Sequence, residues 1–373
     1  MRFCIDATPL LLRSAGIKSY LYHWIVHLRR LAGEDSVLTF PFTSPIGELD
    51  HERSVTGRWA TLSGLGLVYL ANRAGLPVLD RIGRRVDVFH ASQLLRNPPR
   101  HCRLTATIYD LTCWLMPEMH TAANVAAARK FADRVIRRAD GLIAVSESAR
   151  QDALRILDLD AQRIEVIHPG VPEEFFVVPA EAAAAVRARY ALERPYVLFV
   201  GTIEPRKNLP VTLEAYMDLP ASVRQGYELV VAGPAGWATP SLLKRLRAGQ
   251  GVRYLGYVPG ADLPGLTAGA TLFVYPSLYE GFGFPVAQAM AAGVPVITSN
   301  VSALPEVTAG AAVLVDPRSV AELRAALERL LLGPGERAEL TRRGAAVAQR
   351  YRWEACAERS LRFFERVCER HRA

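Results

Sequence analysis

A carboxylate and two glycines stand together at Glu280-Gly281-Phe282-Gly283-Phe284, between an apolar run and a stretch of helix formers. The run Thr271–Tyr275 is short and continuous and stops at Pro276, which predicts a buried parallel strand. Val286–Ala292 predicts a helix. A glycine loop between a strand and a helix N-terminus turns backbone N–H groups and the positive dipole end toward an anion. A carboxylate cannot partner that anion, so Glu280 is expected to bind hydroxyl groups beside it. An anion and a polyol recognised together suggest a sugar nucleotide. Taken alone, the loop fits a plain turn of a doubly wound domain equally well.

A second string, Gly201-Thr202-Ile203-Glu204-Pro205-Arg206-Lys207-Asn208, follows another apolar run and precedes a helix. Ligands of open α/β sheets bind at such carboxyl ends. Arg206 and Lys207 oppose the dipole at a helix start, so their pairing predicts an anion there. In the first half, Arg13–Tyr20 holds one glycine, Gly16, and lacks the G-x-G-x-x-G dinucleotide pattern. Thr107-Ile108-Tyr109-Asp110 ends a strand. Tyr109 either buries its ring and bonds its hydroxyl or meets substrate, and Asp110 is a candidate for an acceptor hydroxyl.

The whole string 276–295 resembles the donor-site signature of retaining glycosyltransferases of the GT-B fold. These are the family 4 (group 1) enzymes, and the likeness is to mannosyltransferase-like members. It covers nearly the whole chain and is strongest over residues 196–316. The family brackets its loop with two glutamates; here Glu280 holds the first position and Gln288 the second. The resemblance implies that Lys207, Arg206 and Glu280 do the catalytic work. It implies a donor site completed by Gly16, Thr202, Gly256, Tyr257, Val258, Gly281, Phe282, Gly283, Phe284 and Gln288. Thr202 stands where many members have Arg, and Tyr109 where many have His. Tyr109 and Asp110 would meet the sugar or acceptor, and Glu306 would be structural. Asp158-Leu159-Asp160 matches a metal-holding D-x-D pattern, but it ends a helix at a junction, where turn capping accounts for it. No metal and no cofactor are expected.

These residues need rigid elements behind them. Strands are expected at 3–7, 36–41, 86–91, 104–109, 141–145 and 163–167, with helices at 19–31, 60–85, 122–138 and 146–157. Ser146 is the expected N-cap of the last of these. His168-Pro169-Gly170-Val171-Pro172 breaks the pattern, and strand–helix alternation restarts to residue 332. The expected fold class is α/β, GT-B: two Rossmann-like doubly wound parallel-sheet domains facing a cleft. The expected boundaries are 1–170, 171–350 and 351–373; the resemblance implies that the first is an acceptor-binding domain, the second a nucleotide-sugar-binding domain, and the last a helix crossing back to the first.

The chain has 373 residues, half of them hydrophobic and 22% charged, which excludes a disordered protein. Five scattered cysteines without a C-x-x-C pair argue against a metal or disulfide framework. The first residues enter a strand at once, and no apolar run approaches the roughly 20 residues of a membrane span. A cytoplasmic location is expected. The net charge of +8 is spread over both halves, which argues against nucleic acid. Arg81, Arg84 and Arg85, and the run Arg129, Lys130, Arg134, Arg137 and Arg138, are either solvated helix faces or a peripheral contact with anionic lipid.

The resulting expectation is transfer of mannose or a similar hexose, with retention and without a metal, in surface polysaccharide assembly. The expected donor is GDP-mannose first and a UDP-hexose second; the acceptor is a glycan or a polyprenyl-linked sugar. A GT-B epimerase or phosphorylase, and a catalytically weak binding subunit, stand as alternatives.

Overall fold

Short apolar runs that are buried on both faces pair side by side in parallel, because helices cover them above and below. In the computed structural model twelve such strands are formed among the described residues, which are 1–369 without 13–15, 42–45, 51–52, 74–77 and 238. The strands are β1 (Phe3–Asp6), β2 (Val37–Phe40), β3 (Val88–Ala91), β4 (Arg103–Ile108), β5 (Gly141–Ala144) and β6 (Ile164–Val166). They continue with β7 (Tyr196–Val200), β8 (Glu228–Ala232), β9 (Val252–Gly256), β10 (Leu272–Tyr275), β11 (Val296–Ser299) and β12 (Val313–Val315). One six-stranded sheet has the order β2-β1-β3-β4-β5-β6 and the other β12-β11-β10-β7-β8-β9.

The chain divides into two units, Met1–Gly170 with Trp353–Ala373, and Val171–Arg352. The first unit therefore includes the last helix, Trp353–Glu369, which packs on the helix Gly16–Ala32. Phe364 of that helix is fully buried against Phe3, Trp24 and His90. Trp24 Nε1 donates to Ser360 Oγ at 2.9 Å. Gly141, opening β5, must lack a side chain: a Cβ would stand 2.5 Å from Val367.

The second sheet reverses its order between β7 and β10. β10, fourth of its unit, pairs with the first strand, β7, on one side and with β11 on the other. In open α/β sheets such a reversal, at the carboxyl ends of the two strands, is where ligands bind.

Several elements differ from expectation. A helix, Pro334–Ala348, was not foreseen. It opens at Gly333-Pro334-Gly335, which reads as a break, and it packs through small residues, with Gly344 against Met290. The stretch 60–85 forms two helices, Arg58–Asn72 and Val78–Gly83, on either side of residues 74–77, which lie outside the described residues. The helix expected over 122–138 ends at Arg134 and tightens into a 3₁₀ turn, Ile136–Arg138, as Val135 and Ile136 bury themselves. Ser146 is the N-cap that was foreseen, accepting from the Ala149 amide at 3.0 Å. Asp158 closes that helix with a left-handed backbone and Asp160 caps the next turn, accepting from the Gln162 amide.

Phe364→Ala is expected to destabilise the first unit by about 3–5 kcal/mol, the usual cost of emptying a buried aromatic site. Denaturant unfolding measures it; a loss under about 1 kcal/mol would remove the last helix from that core.

Candidate functional site

Arg206 and Lys207 lie on a 3₁₀ turn, Pro205–Lys207, between β7 and the helix Leu209–Met217. Asn208 sets their position. It adopts a left-handed backbone (φ 59°) and its buried Nδ2 donates to the carbonyls of Pro276 at 3.0 Å and Pro317 at 2.6 Å. Pro276 follows β10, so this one amide ties the β7 loop to the β10 loop. The tie is reinforced at Arg206, whose carbonyl accepts from the Leu278 amide at 2.8 Å.

Glu280 is the centre of the cluster. Its Oε1 accepts from Lys207 Nζ at 2.6 Å, Ser277 Oγ at 2.7 Å and Tyr275 Oη at 3.1 Å. Its Oε2 meets Arg206 Nη1 at 3.0 Å. The same guanidinium donates to the Tyr279 carbonyl and to Glu204 Oε1 at 2.6 Å. The side chains of Arg206, Lys207 and Glu280 are 17%, 12% and 8% exposed, so the charges are met by one another rather than by water. Burial alone would raise the Glu280 carboxyl. The Arg206 and Lys207 cations and the hydrogen bonds from Lys207 and Ser277 overcome it and hold the group at about 2. Burial pulls the Lys207 ammonium down, with Glu280 opposing.

The anion that the two cations require is thus supplied by the chain itself, which the sequence did not announce. Three of the predicted residues are brought together here. The residues that hold them, Tyr275, Ser277 and Asn208, were missed: the first reads as the end of an apolar strand, and the others read as turn residues.

The glycine loop serves shape more than amide donation. Gly283 has φ 99°, and a Cβ there would stand 2.7 Å from Leu304, so only glycine fits. In the helix that follows, Phe284–Ala291, Pro285 has no N–H, and the amides of Val286 and Ala287 bond back to the Gly283 carbonyl. The expected cradle of several free amides is therefore narrow, and any anion here relies mainly on Arg206 and Lys207. Phe282 packs edge-on to Phe284 and Tyr351, and the Glu280 amide donates to Ser302 Oγ at 2.9 Å. Gln288 lines a small hollow with Phe175, Val200, Leu263, Thr267, Phe273 and Pro285.

Thr202 and Gly233 mark a close approach of the β7 and β8 ends, where a Cβ on Gly233 would meet the Gly201 carbonyl at 2.0 Å. Gly256 ends β9 with φ 70°, Tyr257 is 41% exposed and Val258 is buried. Three predicted contacts belong to the other unit. Gly16 opens its helix exposed, with nothing near the position of a Cβ, and the preceding Arg13–Ala15 lie outside the described residues. Tyr109 is half-buried and edge-on to Tyr20 at 5.3 Å, and burial pushes its hydroxyl up. Asp110 Oδ1 accepts from the Thr112 amide and hydroxyl at the start of a short helix.

The ion cluster makes a pH prediction. The Glu280 carboxyl lies below its ordinary value of 4.5, near 2, so its contribution is complete above pH 4.5 and is lost as pH falls through about 2. Glu280→Gln strands two buried cations and should cost about 3–5 kcal/mol near neutral pH. The gap between variant and wild type should shrink as pH drops below 4.5. Thermal unfolding across pH tests this; a gap that stays constant would show that the carboxylate charge is not what holds the cluster.

Two family descriptions match the chain: glycosyl transferases group 1 over residues 183–347 and glycosyltransferase family 4 over residues 14–175. The O-antigen chain mannosyltransferase B of Escherichia coli is 35% identical over 272 residues, covering 72% of this chain and 71% of that protein. The serotype-specific mannosyltransferase WbdA of Escherichia coli is 31% identical over 239 residues, but this chain spans only 29% of its length. Among solved structures, sucrose-phosphate synthase of Thermosynechococcus elongatus superposes with a TM-score of 0.71 at 20% identity, covering 98% of this chain and 99% of the other. Anabaena HepE in complex with UDP gives a TM-score of 0.71 at 18% identity, covering 98% and 100%. With its two parallel-sheet units and these matches, the chain belongs to the group 1, family 4 glycosyltransferases and has the GT-B fold.

Proposed function

We propose that this glycosyltransferase moves mannose, with retention at the anomeric carbon, from GDP-mannose to a growing glycan on a polyprenyl carrier in surface polysaccharide assembly. The observation that carries the reading is the Glu280 carboxylate held between Arg206 and Lys207 at the strand-order reversal. In this reading the second unit binds the donor and the first unit the acceptor. The protein works in the cytoplasm, peripheral to the inner face of the membrane.

Departure of the nucleoside diphosphate builds negative charge on its distal phosphate. Lys207 and Arg206, already desolvated and aimed, stabilise that charge better than water does, and the step needs no metal. Glu280, kept ionised, is a strong acceptor for sugar hydroxyls. Tyr275 and Ser277 fix its orientation, so it need not reorganise when the cations turn to the diphosphate. The leaving phosphate itself accepts the acceptor proton on the same face. Gln288 accepts from the ribose hydroxyls without a charge, which weakens that end of the donor site.

Mannose is favoured by the relatives named as mannosyltransferases, and a UDP-hexose is second because HepE is described with UDP and with UDP-glucose. A weakly catalytic binding subunit is the second reading. Its support is that four protein donors already occupy the Glu280 oxygens.

Lys207→Ala should lower kcat for transfer by about 10²–10³-fold, as when one donor is removed from a charge-stabilising site. EDTA should leave wild-type transfer unchanged. Donor binding by wild type without turnover would select the second reading. GDP should raise the unfolding temperature more than UDP at equal concentration; the reverse order would replace the donor.

A further inference from the structure

The helix Arg58–Asn72 is apolar on two faces, and one of them is uncovered. Gly64, Val68 and Ala71 form the buried face, and Gly64 sits so close to Leu11 that a Cβ would stand 2.8 Å from its methyl. On the opposite face Trp59 is 81% exposed, Leu62 52%, Tyr69 63% and Leu70 42%. Positions 59, 62, 66, 69, 70 and 73 recur at the spacing that places residues on one stripe of a helix. A soluble surface does not ordinarily leave a Trp, a Tyr and two Leu side by side.

The patch is also framed by charge of one sign. Arg58 and Arg73 stand at its two ends with no acidic residue between them, and the Arg73 guanidinium lies 5.7 Å over the Tyr69 ring. Asn72 ties on the neighbouring loop, donating to the Leu94 carbonyl and accepting from the Arg96 amide. That loop adds a partly exposed Leu94 and an exposed Arg96. Arg81 is exposed on the next helix, and Arg84 and Arg85 are exposed in the turn that follows it. Residues 53–100 hold eight arginines against Asp80 and Asp87, or +6 of the chain's +8. The stretch that carries this face is thus basic, and Arg58, Arg73 and Arg96 are the arginines tied directly to its helix. By contrast Arg137 of the other basic run is spent on Asp133 and the Leu157 carbonyl.

We propose that the face Trp59–Leu62–Tyr69–Leu70 is the surface by which the protein docks on an anionic lipid bilayer, with the surrounding arginines on the headgroups. An amphipathic stripe framed by arginines matches the boundary between anionic headgroups and acyl chains, where Trp and Tyr rings settle. A second copy of the chain is a poor occupant, because it would bring two arginine frames together. The assignment rests on the membrane-side part of the proposed function and not on its donor site.

The test is sedimentation of the full chain with vesicles of phosphatidylglycerol mixed into phosphatidylcholine, beside vesicles of phosphatidylcholine alone. Wild type should bind the mixed vesicles, more weakly as salt rises. Trp59→Glu with Leu62→Glu should lower partitioning at least about tenfold, and Arg81→Glu with Arg84→Glu should weaken it mainly at low salt. GDP-mannose turnover should be unchanged in both variants, which shows them folded and separates docking from catalysis. Binding by the Trp59/Leu62 variant equal to that of wild type overturns the proposal. So does wild type that ignores mixed vesicles while turning over donor, or a wild-type dimer that these substitutions dissolve.

Discussion

Keeping a carboxylate ionised at a dry sheet edge costs several kcal/mol of solvation unless opposite charge and hydrogen bonds replace the lost water. Glu280 has both, from Lys207, Arg206, Tyr275 and Ser277. Much of the second unit is arranged around that requirement. Removing any one partner would leave charge buried without compensation, so the surroundings must hold every donor in register. They do so with short polar side chains on the strands: Thr298 Oγ1 donates to the Tyr275 carbonyl and Ser299 Oγ to the Ser277 carbonyl, at 2.7 and 2.6 Å. The loop after β10 is thereby held by β11 on one side and by Asn208 on the other.

Strand order explains why these loops meet. Had β10 paired with β9 in simple succession, two strands would lie between the turn holding Lys207 and Glu280. Pairing with β7 makes them neighbours. The cations arrive from one βα loop and the carboxylate from another, so neither loop alone could bury its charge. That mutual dependence makes the site part of the fold.

The sequence announces the parts better than their meeting. Apolar runs such as Tyr196–Val200 and Leu272–Tyr275 declare strands because burial on both faces tolerates little else. Arg206, Lys207 and Glu280 stand out because charge in a βα loop is chemically expressive. The contact across 73 positions between Lys207 and Glu280 does not, since no local rule states which strands adjoin. Tyr275 and Ser277 are hidden for another reason. A strand-end Tyr looks like core, and its hydroxyl acquires a role only once a carboxylate is beside it. The helix Pro334–Ala348 escapes because Gly333-Pro334-Gly335 reads as a break and its buried side, Leu340, Gly344, Val347 and Ala348, is too poor in large apolar residues to stand out. The uncovered face of Arg58–Asn72 is the converse case, since its leucines look like core until exposure is known.

The two sheets resolve the same problem in opposite ways. In the first unit the strand order reverses between β1 and β3, and a carboxylate again stands there, fully buried: Asp6. Among the described residues no cation answers it. Its oxygens accept from the amides of Thr8 and Ser92, at 3.1 and 3.2 Å, and from both hydroxyls, and burial still pushes the carboxyl up. Neutral donors can satisfy a carboxylate's lone pairs, but they store no charge that a ligand can take over. Cations can be handed from one anion to another, which the arrangement around Glu280 permits and the one around Asp6 does not. Asp6 fixes the β1 and β3 loops to each other. A strand-order reversal in each unit therefore does not make the two equivalent in chemistry; the counter-ion decides that, and among the described residues it is the second unit that has it at this point.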